Sequence, residues 1–153
     1  MASPLTLLLP VIPGTTLDTL SATLGKYTPE LDAALQSIGT VHYARTLLLD
    51  ASAPNLQPSG KETSSYVLAV ITEYDGSFDA YINDFVSQVG SIFDALLQVV
   101  VGGAAVTPVA NNVAAFQAFV TQNDASQHAP NTSLFQAYTA TVQEILASLP
   151  SQS

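Results

Sequence analysis

Three prolines decide what the first apolar run of this chain can become. In "MASPLTLLLPVIPG", Pro4, Pro10 and Pro13 interrupt the run, and no Lys or Arg precedes it. A secretory signal needs a basic start and an unbroken apolar stretch. A bilayer-spanning helix needs about 20 apolar residues, more than this run or "FDALLQVVVGGAAV" supplies. Residues 5–9, continuing to about Ile12, therefore read as a buried strand that Pro13-Gly14 ends. The expectation is a cytoplasmic protein with no membrane segment.

The rest of the chain alternates between two periods. Leu17, Leu20, Leu24, Tyr27, Leu31, Ala34 and Ile38 recur every three or four residues, as on an amphipathic helix. Within "YTPELD", Thr28 suits an N-cap and Pro29 a first helical position, which predicts two helical pieces rather than one. Residues 41–49 and 66–74 read as strands. The Pro-, Ser- and Gly-bearing loop between them is long for a hairpin and is either mobile or laid over something. Asp75-Gly76 makes a turn, Ser77 is a plausible N-cap, and Phe78 to Leu96 carries a wide apolar stripe, with Gly102-Gly103 ending that helix. Pro108 starts a further helix, residues 134–138 read as a short last strand, and 141–149 as a closing helix. The order is βαββαβ with an inserted helix before the last strand. It predicts one α+β domain over 1–153 with a flexible tail from about 150. An antiparallel four-stranded sheet with helices on one face satisfies it.

Charge narrows the partners. The formal net charge is −9, with Lys26, Arg45 and Lys61 the only basic residues besides two His. Three scattered cations cannot line up against phosphates, which excludes nucleic acid, and an anionic membrane surface repels such a chain. Only 10% of residues are charged, against about a quarter in an ordinary soluble domain. An open sheet face then calls for a partner, and a homodimer is expected. With no Cys, thiolate catalysis and Cys-ligated metal sites are excluded. Two His far apart make no metal pair, so neither metal nor cofactor is expected.

The candidate site residues are His42, Tyr43, Arg45 and Glu73. Along a regular strand Tyr43, Arg45 and Leu47 share one face and His42 the other, so His42 and Arg45 meet only if a bulge intervenes. Glu73 shares a face with Ile71 and Ala69 on the next strand, opposite or diagonal to Arg45. A guanidinium in a buried strand needs a carboxylate or an anionic ligand, and Glu73 is the expected partner. His42 reads as a satisfied strand histidine or as a ligand-binding group. His128 reads as a surface residue. Asp79 is explained as charge at a helix start and Asp84 as a solvated position, so Asp75, Asp79 and Asp84 do not read as a metal cluster. Tyr74, Tyr81 and Tyr138 read as core or interface aromatics, with a pocket tyrosine as the alternative.

"IGTVHYARTLLLD", "LAVITEYDGSFDAYINDFV" and "SLFQAYTATVQEILASL" resemble segments of a loosely characterised bacterial group with the ferredoxin-like fold, within the dimeric α+β-barrel superfamily. The matching positions are His42, Tyr43, Ala44 and Arg45, then Glu73, Asp75 and Gly76, then Phe78, Asp79 and Ala80. The resemblance implies two chains whose sheets form one barrel. That superfamily includes haem peroxidases, monooxygenases and many proteins of no assigned activity, and this sequence carries no signature of those enzymes. Two readings follow: a dimeric small-ligand-binding or structural module, and, as the alternative, a monooxygenase- or peroxidase-like enzyme working inside the barrel.

Overall fold

Apolar strands pairing on both sides of a central partner build the sheet. β1 (Ala2–Pro10), β2 (Val41–Asp50) and β3 (Tyr66–Asp75) lie in the order β1-β3-β2, both pairings antiparallel. The computed structural model describes residues 2–150; the tail expected beyond them lies outside that range. Leu5, Leu7 and Leu9 stand opposite Thr72, Val70 and Leu68, and all six are buried. The helices α1 (Leu17–Ile38) and α2 (Phe78–Leu97) join this face in one core. Among the described residues no helix is long and apolar enough to cross a membrane.

An aromatic series ties the sheet to the helices. Tyr74 stacks on Tyr81 of α2 at 4.1 Å between ring centroids. Phe85, Phe93 and Phe116 continue it, each ring tilted or edge-on to the one before. Phe116 belongs to α3 (Val113–Asn123), so the series crosses the whole core. The Tyr81 hydroxyl reaches the Thr72 hydroxyl at 3.2 Å. Burial pushes the Tyr81 phenol up to about 12, which keeps it neutral in the core.

The sheet has three strands, not the four expected. Residues 134–138 form no strand, and Leu134 and Tyr138 are exposed. The place beside β1 that a fourth strand would take is already filled. The Asp124 carboxylate accepts the Thr6 backbone N–H at 2.8 Å, and the Ser126 hydroxyl donates to the Pro4 carbonyl at 3.1 Å. Asp124 also accepts from the Ser126 N–H and hydroxyl, at 3.0 and 2.7 Å. A side chain thus satisfies the edge that backbone pairing would have satisfied. The ferredoxin-like sheet is overturned by this arrangement.

Three helix boundaries also differ. α1 is continuous, with Pro29 inside it. Pro29 has no N–H to offer the Gly25 carbonyl, and Gly25 lies on an exposed turn where water meets that carbonyl instead. Leucines buried or packed on both sides of the proline hold the two halves together. α2 ends at Leu97, ahead of Gly102-Gly103, because Val100 is drawn into a bridge with Val11. After Pro108 a 3-10 turn, Val109–Asn111, precedes α3. The loop after Asp50 lies over the start of α1: the Glu62 carboxylate accepts the Leu17 N–H, 3.2 Å from each oxygen. An acid there suits the positive end of a helix.

Asp124→Ala should lower unfolding stability by about 2–4 kcal/mol, because it strips hydrogen-bonded N–H groups of their charged acceptor inside the fold. Asp124→Asn keeps an acceptor oxygen and should lose less. Urea denaturation of the two variants gives the order.

Candidate functional site

A bulge brings the candidate residues together. Val41 stands opposite Tyr74 and Tyr43 opposite Glu73, with a register shift between them, so His42 is the extra residue. The bulge removes the regular alternation that would separate His42 from its neighbours. His42, Tyr43 and Glu73 line one cleft of about 510 Å³ with Gln136, Ala137 and Tyr138. Strands supply one wall, and the irregular segment before α4 (Val142–Ser148) supplies the other.

Asp75 holds both walls. Its Oδ1 lies 3.2 Å from His42 Nε2, an ion pair whenever the ring is protonated. Its Oδ2 accepts the Val142 N–H at 2.7 Å, at the first turn of α4. Partial burial pushes the Asp75 carboxyl up, but the Val142 hydrogen bond and the hydrogen bond and charge of His42 outweigh it, so the group sits below its ordinary value. α4 is further tied by Gln143, whose amide donates to the Gly39 carbonyl at 2.7 Å. A capping box between Thr141 and Glu144 starts the helix. Its own apolar side contributes little, since none of its residues is buried.

Tyr43 and Glu73 form the second polar pair. The Tyr43 hydroxyl donates to Glu73 Oε1 at 2.9 Å. That bond, partial burial and the Glu73 charge raise the Tyr43 phenol, against the opposing field of Arg45. Arg45 itself stands opposite Ile71, exposed. The expected Arg45–Glu73 bridge is not formed: His42–Asp75 is the only ion pair among the described residues. The register explains the difference. Glu73 faces Tyr43, which takes its carboxylate, and Arg45 lies where water solvates its guanidinium without a partner.

Gln136 was not legible as a site residue, and Tyr138 reads from sequence as a core or interface aromatic although it is 90% exposed. Asp75 reads from sequence as a turn residue; its approach to His42 depends on the bulge. His128 lies elsewhere, its Nε2 3.1 Å from the Gln122 carbonyl on the surface. Asp79 takes the first turn of α2, whose N-cap is Ser77. Among the described residues no group of three His, Asp or Glu could hold a metal ion.

Asp75→Ala should free α4 from the sheet and lower stability by about 1–3 kcal/mol. Amide hydrogen exchange over residues 139–149 should speed up more than exchange in β3. Because the native Asp75 carboxyl is depressed, its stabilisation is complete above the ordinary carboxylate range and is lost as pH falls through the native value. Acid titration of α4 protection should therefore show loss at the acid end in the wild type and little pH dependence in Asp75→Ala.

No family model matches the chain, and no curated protein or solved structure matches it. What the cleft takes is therefore a question for its own chemistry.

Proposed function

We propose that the chain is a homodimeric small-ligand-binding module. The cleft beside the His42 bulge carries the reading. It offers an imidazole, a phenol–carboxylate pair and an amide, grouped in a space of about 510 Å³, within the size range of small-molecule sites. None of the six lining residues is Ser, Thr, Cys or Lys. The rings, carboxylate and amide of the lining supply the hydrogen bonds and ring contacts that hold a small guest. One wall sits on paired strands and is rigid; the other carries the exposed Tyr138 ring, which can close on a guest.

The dimer rests on other rows of the sheet face that carries Tyr43 and Glu73. These rows present Leu8, Leu47, Leu49 and Val67 around the buried Ala69. Leu8 is 40% exposed and the other three are half-buried. These two rows contain no charged residue, and Arg45 in the adjoining row is exposed at the margin of the patch.

The binding reading is tested by amide chemical shifts during titration with a small-fragment library. Saturable shifts should cluster at His42, Tyr43, Glu73 and Gln136 to Tyr138, and Tyr138→Ala should weaken the best fragment about tenfold. A library that leaves those amides unmoved would overturn it. Light scattering should give twice the chain mass at micromolar concentration, falling to one chain mass in Leu47→Asp.

A further inference from the structure

Two more clefts adjoin the first, and together they change character along the C-terminal segment. One of about 310 Å³ shares His42, Glu73, Ala137 and Tyr138 with it and reaches Ile145. The next, about 500 Å³, shares His42 and Ile145 and is walled by Leu35, Val41, Val142 and Leu146. From Glu73 to Leu146 the lining therefore passes from carboxylate and phenol to aliphatic carbon.

At the polar end Glu73 is the one carboxylate in the lining. Glu73 Oε1 is taken by Tyr43, and Oε2 has no hydrogen-bond donor among the described residues. The Tyr43 and Tyr138 rings line the same space. Asp75 lies just behind His42, and Glu144 feels the Asp75 charge. Arg45 is the opposing cation, but it is exposed and does not line any of the three clefts. An ammonium head would give Glu73 an ionic partner and meet the negative faces of two rings. An anionic head would meet the Glu73 carboxylate instead. At the other end Ile145 and Leu146 are 40% and 54% exposed, apolar surface that a hydrocarbon body would cover.

We infer that the ligand is an organic cation with an apolar body: its ammonium head lies between Tyr43, Tyr138 and Glu73, and its body runs past His42 onto Leu35, Ile145 and Leu146. This rests on the cleft being a binding site at all, and the probes separate the two ideas. The full chain is titrated, below micelle-forming concentrations, with octyltrimethylammonium, tetramethylammonium, octanol and octanoate, read by calorimetry and by the amides of the cleft. Octyltrimethylammonium should bind saturably and at least about tenfold tighter than either tetramethylammonium or octanoate. Glu73→Gln should weaken it about tenfold, and Tyr43→Phe, which keeps the ring and frees the carboxylate, should not weaken it. Leu146→Ser should weaken octyltrimethylammonium and leave tetramethylammonium unchanged. Each variant is checked first for a native amide spectrum. Octanoate binding as tightly as the cation, or a cation indifferent to both Glu73→Gln and Tyr138→Ala, would overturn the inference. If octanol or octanoate alone moves the cleft amides, the cation class falls and the binding module stands; if no probe moves them, both fall.

Discussion

β3 is the one strand with neighbours on both sides, and its register sets the position of everything else. Its even-numbered residues, Tyr66 to Tyr74, face the helices and are buried. Its odd-numbered residues form the centre of the opposite face. Tyr74 starts the aromatic series that anchors α2 and α3, Glu73 holds the phenol of the cleft, and Asp75 holds the bulged histidine and the last helix. Three consecutive residues at one strand end thus serve core, site and C-terminal docking. A slip of one residue would exchange all three roles, because side chains alternate strictly along a strand.

The strands were legible in the sequence because apolar runs bounded by Pro, Gly and Asp have few other uses. The cap at Ser77 was legible for the same local reason: a short side chain meets an N–H three residues on. What escaped were features set by distant neighbours. Residues 134–138 have strand-like composition, but Asp124, ten positions earlier, already satisfies the edge of β1. Pro29 carries a helix-start signature, yet packing on both sides of it outweighs the lost hydrogen bond.

The site was half legible. His42, Tyr43 and Glu73 do come together, but through a bulge that leaves no mark on the local pattern. Arg45 misled for a physical reason. A strand that looks apolar throughout was read as buried throughout, whereas β2 lies at the side of the sheet and shows one face to water. A lone guanidinium there needs no carboxylate. Gln136 had no signal and Tyr138 only that of its aromatic ring, since a segment without repeating structure acquires its place only from what it crosses.

The two flanks of the sheet are not alike. Beside β1, Asp124 takes the outward Thr6 N–H and Ser126 the Pro4 carbonyl. Beside β2, among the described residues, only Asp50 at the far end makes a backbone hydrogen bond outside the sheet. The molecule is therefore a ribbon with one sealed margin and one open one. A ribbon open on both margins is a monomer for a filament, since each addition exposes a fresh template. Here a strand that joined β2 would find the opposite margin already occupied at Thr6 and Pro4. Growth stops at a single step. For a chain this apolar and this sparing in charge, that one-sided closure guards against fibre formation in a way that its acidity alone does not.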